Sequence, residues 1–191
     1  MRHFVLPLKV ALSTIPIVVM LFVLKTNTRP EPSDFGFIKK YKIEWKWKKE
    51  HLPIKILVDP SVTETMMVSV AEAVQHINYT VGNTVFLMPR RVKTHITGCV
   101  SISRRPSLGK FGGVTHHMLD AEKGYIDNAW IELYQFNDAR INYFVALHEL
   151  LHALGMDHDK DENSILFSNI HSPLQKITEH DLNLLRETYG R

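Results

Sequence analysis

Apolar positions along this chain fall into two kinds of pattern, helical stripes and short alternating runs. Across residues 63–79, Met66, Val70, Ala73, Val74 and Ile77 recur at the three-and-four spacing that gathers one stripe on a helix. A second helical pattern covers residues 138–154, with Phe144, Leu147, Leu151 and Leu154 on one stripe. A third begins near Thr178, where Thr178 and Asp181 stand three apart, a capping-box spacing with Asp replacing Glu or Gln. Between the helices lie β-rich runs at residues 54–58, 84–88, 95–102, 111–118 and 125–134. The first ends at Asp59-Pro60, the second at Pro89, and a turn containing Asp120 and Gly124 separates the last two. Upstream, Tyr41, Ile43, Trp45 and Trp47 alternate with charged residues, as a half-buried strand requires. The alternative, a basic stretch that binds anionic lipid, explains the lysines but not the alternation. The order β-α-β-β-β-β-α-loop-α predicts a mixed sheet with helices packed on it.

The N-terminus departs from these patterns. An uncharged run from Val10 to Leu24 follows Arg2 and Lys9 and is closed by Lys25. Fifteen helical residues reach about 22 Å, short of a bilayer core of roughly 30 Å. Extension back to Phe4 supplies the length if Lys9 snorkels. Residues 1–25 therefore read as a signal peptide or an N-terminal membrane anchor. The absence of a small-x-small cleavage site after Leu24 favours the anchor. Residues 26–46 form a linker and basic lead-in, and residues 47–191 form one domain. Membrane contact is expected through residues 4–24, with the domain outside the cytoplasm, either secreted or anchored.

Composition changes little of this picture. The 191 residues are 45% hydrophobic and 23% charged, as in ordinary globular proteins. A net charge of +3 is too small to argue for nucleic acid. Cys99 is the single cysteine, which excludes an internal disulfide and reads as a buried thiol. Eleven histidines are many for this length, and several cluster at ligand spacing.

His148 and His152 are four apart, so one helix face carries both imidazoles. Such a pair can hold one zinc ion. Glu149 is rotated by one residue, out of the coordination shell yet within reach of a water there. Gly155 stands where the helix must stop in a left-handed conformation, which lets the chain turn and return His158 to the same point. Three neutral histidines leave a fourth position open, as in catalytic zinc sites.

The stretch from His148 to His158, with Glu149, His152 and Gly155 in place, resembles the long zinc signature of the metzincin metallopeptidases. Its Ala153-Leu154-Gly155 spacer is most similar to the matrixin branch, and the run from Ile177 to Gly190 is similar to the matrixin closing helix. The resemblance extends over roughly residues 47–190. It implies an α+β zincin domain: a twisted, mostly parallel five-stranded sheet with an active-site helix and a C-terminal helix. It implies a zinc-dependent endopeptidase in which His148, His152 and His158 bind Zn²⁺ and Glu149 is the general base. It also implies that the strand around Gly112, Gly113, Val114 and Thr115 binds a polypeptide substrate, and that the loop over residues 159–173 shapes the pocket beyond the scissile bond.

There are departures from the family pattern. Leu166 stands where metzincins carry the methionine of the turn below the metal, and Phe167 follows where some branches have tyrosine. Leu and Met have similar volume, so a hydrophobic base is expected to survive. Cys99 lacks the neighbours of a propeptide cysteine switch. His116, His117, His171 and His180 do not fit the family's second zinc spacing and read as ordinary strand or surface histidines. Asp120, Glu122 and Asp127 around Gly124 could take calcium, but their spacing matches no calcium-loop motif. A monomer is expected. The competing function is a catalytically inactive zinc domain that binds a partner protein; Leu166 is its support, and Glu149 stands against it.

Overall fold

The helical stripe of residues 63–79 and the alternating runs after it are assembled on one sheet in a computed structural model of the chain. The structure describes residues 43, 45–91, 97–106, 112–168 and 174–190. The apolar run, most of the linker, Tyr41, His95, Phe111 and His171 lie outside the described residues.

Six strands form the sheet: β1 (Lys46–Trp47), β2 (Lys55–Val58), β3 (Arg90–Arg91), β4 (Cys99–Arg104), β5 (Gly113–Asp120) and β6 (Tyr125–Leu133). The spatial order is β3-β2-β4-β6-β5, and β1 pairs in parallel with the first residues of β6. All pairings are parallel except that of β5 with β6. Four of the five runs expected as strands contribute β2, β4, β5 and β6; β3 lies just past the fifth, at 84–88, and β1 lies in the alternating run that ends at Trp47. The run at 84–88 is tied differently from the expectation. Asn78 Oδ1 accepts from the amides of Val85 and Phe86, and Asn78 Nδ2 donates to the Phe86 carbonyl. Phe86 makes only an isolated bridge to Ile54, and regular pairing resumes at β3.

Helix α1 (Glu64–Val81) starts where Thr63 Oγ1 accepts from the Met66 amide and ends at Gly82, φ 74°. Its predicted stripe is the buried one: Met66, Val70, Ala73, Val74 and Ile77. Helix α2 (Ala139–Ala153) is capped by Asp138, whose side chain accepts from the Arg140 amide. Helix α3 (Glu179–Tyr189) carries the capping box read from Thr178 and Asp181. α2 packs against α1 and against β5 and β6. β5 pairs only with β6, so among the described residues its outer edge is open.

Trp47 is buried and Trp45 half-buried, as the alternation required, although only Lys46–Trp47 pair as strand. Cys99 is buried. Among the described residues no helix is long and apolar enough to cross a membrane.

Candidate metal centre

The C-terminal half of α2 is surrounded by other elements on every side. The seven consecutive residues from Val145 to Leu151 are all buried. At about 100° per residue they cover the whole circumference of the helix. His148 and Glu149 are therefore embedded, 7% and 5% exposed.

A helix ends with carbonyls that lack an internal partner. Here distant residues supply the missing donors. Trp47 Nε1 donates to the Ala153 carbonyl at 2.8 Å, and the Tyr189 hydroxyl donates to the Leu154 carbonyl at 2.8 Å. The His152 carbonyl accepts from the Gly155 amide at 2.7 Å and from His117 Nε2 at 2.8 Å. Gly155 then reverses the chain with φ 86°, a conformation that glycine adopts without steric cost. A Cβ there would also stand 1.9 Å from the Trp45 carbonyl oxygen. Glycine is required on both counts.

That turn brings His158 to His148 and His152. Ligand atoms of the three lie within 4.8 Å of one another, with His158 ring centroids 5.3 Å and 4.6 Å from those of His148 and His152. The tautomers follow from the outer hydrogen bonds. His148 Nδ1 lies 2.6 Å from the Ile165 carbonyl, and His152 Nδ1 lies 2.7 Å from the Met156 carbonyl. A carbonyl only accepts, so both Nδ1 atoms carry the proton and both Nε2 atoms present lone pairs. Those two Nε2 atoms face each other at 2.9 Å. Two lone pairs converging on one point, with His158 beside them, make a donor set that can hold a cation. Zinc suits an all-imidazole donor set. Burial holds the His148 imidazole below its usual pKa and drives that of His152 down to about 3, so both stay neutral.

The loop after His158 is fixed from below. The Asp159 amide donates to the Leu166 carbonyl at 3.0 Å, and the Ile165 amide donates to the Lys176 carbonyl at 2.8 Å. Ser164 Oγ, the Thr178 amide and Thr178 Oγ1 all donate to Asp181 Oδ2, at 2.9, 2.9 and 2.8 Å. The capping carboxylate of α3 thereby holds the segment whose Ile165 carbonyl orients His148. Leu166 is buried, and its amide donates to Ser164 Oγ.

Glu149 faces the same cleft, of about 690 Å³, which is also lined by Gly112, Gly113, Val114, Thr115, Phe136 and Val145. Before any cation is counted, burial pushes the Glu149 carboxyl up to about 7. A Cβ on Gly113 would lie 2.5 Å from Glu149 Cγ, so β5 approaches this carboxylate because residue 113 has no side chain.

The structure thus brings together all ten residues singled out in the sequence: His148, Glu149, His152, Gly155, His158 and Leu166 around the triad, and Gly112 to Thr115 on the facing edge. Other participants have no local signature. Trp47 and Tyr189 act from far along the chain, and Asp181 has a second role beyond its cap. His117, read as an ordinary strand histidine, is on a strand but lines the cleft; burial lowers its pKa. His116 stacks on Trp130 with centroids 5.3 Å apart. Of the acidic group around Gly124, Asp127 and Asp120 flank the Lys48 ammonium at 2.8 and 3.6 Å.

Residues 107–190 match the family model described as Matrixin. The matched stretch contains the histidine triad, Glu149, Leu166 and strand β5, and leaves out α1 and strands β1 to β4. Among solved structures the chain is similar to high choriolytic enzyme 1, a hatching enzyme zinc-protease from the medaka fish Oryzias latipes, at 18% identity and a TM-score of 0.35. That similarity covers 60% of this chain and 49% of the medaka enzyme, so it spans about half of that relative. No curated protein matches the sequence.

Proposed function

Because the chain carries a metzincin domain of the matrixin type, we propose that it is a zinc-dependent endopeptidase. The observation that carries the proposal is the pair of Nδ1–carbonyl contacts, which turn the Nε2 lone pairs of His148 and His152 onto one point beside a buried carboxylate. His148, His152 and His158 hold the ion, which when bound supplies Lewis acidity to the site.

The remaining steps belong to side chains and backbone. An extended polypeptide pairs with the open edge of β5, where Gly112, Gly113, Val114 and Thr115 offer main-chain groups that accept many sequences. Glu149 takes the proton of the attacking water and passes it to the departing amine. Gly155 sets the return of His158, and buried Leu166 takes the place of the family's methionine. The domain acts outside the cytoplasm, secreted or tethered through residues 4–24.

Glu149→Gln tests this directly. Cleavage of a mixed peptide library should fall by roughly 10²–10⁴-fold, the contribution of a positioned general base. Zinc content, measured by elemental analysis, should stay at the unmutated level. Full cleavage by the variant would remove Glu149 from the mechanism. A zinc-loaded parent chain with no turnover on any peptide would favour the protein-binding alternative.

A further inference from the structure

We propose that the Thr115 side chain is a positioning residue for Glu149, in addition to the main-chain role of its strand. The inference rests on the peptidase reading above. Thr115 Oγ1 lies 2.6 Å from Glu149 Oε2 and 3.0 Å from the Glu149 carbonyl oxygen. One hydroxyl thus bridges the carboxylate and the backbone of the same residue, across the interface between β5 and α2.

A hydroxyl carries one proton and can use it on one of these acceptors at a time. While Glu149 is ionised, the shorter contact to Oε2 is a charge-assisted hydrogen bond and wins. Once Glu149 has taken a proton from water on Oε1, Oε2 keeps its lone pairs and the Thr115 hydroxyl goes on donating to it. The hydroxyl serves both states of the base without moving the strand. It holds Oε2, and leaves Oε1 as the oxygen that exchanges protons with water and amine.

Two further observations support this division of labour. Oε1 lies beside Gly113, 2.6 Å from where a Cβ would stand, so residue 113 leaves that oxygen room. Thr115 and Glu149 both line the cleft, so the bridge stands where the reaction would occur.

The experiment compares the full, zinc-loaded chain with Thr115→Val, Thr115→Ser, Glu149→Ala and Thr115→Val combined with Glu149→Ala. Valine keeps the shape and removes the hydroxyl; serine keeps the hydroxyl. The expected result is a roughly 10-fold fall in kcat for Thr115→Val, part of what a general base contributes. KM should change less than about 2-fold, since the lost contact is not to substrate. Thr115→Ser should recover most of the rate, with zinc content equal in all forms. Unchanged kcat in Thr115→Val, or a loss confined to KM, overturns the proposal while leaving the peptidase reading intact. The unfolding midpoint provides a check independent of activity. Thr115→Val should lower it in the Glu149 background and much less in the Glu149→Ala background; equal losses would show that the two side chains do not interact. Absence of cleavage by the unmutated chain would instead sink the peptidase reading, and the positioning role with it.

Discussion

Helices α1 and α2 lie side by side and are built on opposite plans. α1 turns one apolar stripe to the core and leaves its other faces to water, so its burial and its periodicity agree. α2 is enclosed from Val145 to Leu151, and two of those seven residues are ionisable. Burying such groups without full compensation is costly. The first helix is organised for stability, and the second spends stability on chemistry. Its outer supports make that tolerable: carbonyls for the imidazole protons, Thr115 for the carboxylate, and donors from Trp47, Tyr189 and His117 for its last carbonyls.

Substitutions can separate the two plans, beginning with the largest effect on stability. Gly155→Ala should destabilise the zinc form by about 4 kcal/mol, because it combines a left-handed backbone with a collision against the Trp45 carbonyl. Zinc titration followed by thermal unfolding should show affinity and stability falling together. Ile77→Ala, in the α1 stripe, should cost about 3 kcal/mol of unfolding free energy. Its zinc affinity should stay at the parent value; a parallel loss would mean that α1 is part of the site after all.

The third prediction concerns pH in chelated protein. The His152 pKa is depressed to about 3 against a usual 6.5, so between those values the unfolded chain binds more protons and acid destabilises the fold. The Glu149 pKa is raised from 4.5 to about 7, so its contribution is fully present below 4.5 and is lost as pH rises through 7. The two oppose each other between about 4.5 and 6.5. Glu149→Gln removes the second and should make the chelated protein more stable by roughly 2 kcal/mol at pH 8, with little change at pH 4. Denaturant melts at both pH values check this. With zinc bound the gain should shrink, because the cation itself favours the carboxylate. Last and smallest, Tyr189→Phe should cost about 1 kcal/mol through the unmet Leu154 carbonyl, seen as a lower urea midpoint.

The same contrast explains what could be read from the sequence. The α1 stripe, the Thr178 cap and the Gly155 stop are local patterns, and each is present where the spacing placed it. The centre was legible because five of its participants, His148, Glu149, His152, Gly155 and His158, fall within eleven residues. The supports were hidden because their partners are distant: Trp47 meets Ala153 across 106 positions and Thr115 meets Glu149 across 34. Nor does alternation reveal that Asn78 captures the amides of Val85 and Phe86, which is why the run at 84–88 looked like an ordinary strand. Periodicity reports which face is buried; it is silent on which polar atom meets which.

The clamp at the end of α2 also bears on the order of assembly. Trp47 comes from the first described strand and Tyr189 from the last helix, and Tyr189 Oη in turn accepts from the Trp47 amide at 3.3 Å. A chain emerging from the ribosome can form α1 and much of the sheet while that clamp is still open, since Tyr189 is made after every described strand and after α1 and α2. Contacts of such long sequence separation form late because the loop they close must first be ordered. The turn that returns His158 is therefore secured only once α3 has been made. A metal centre arranged in this way is timed by its own topology, and stays incomplete until the last described helix folds against the first described strand.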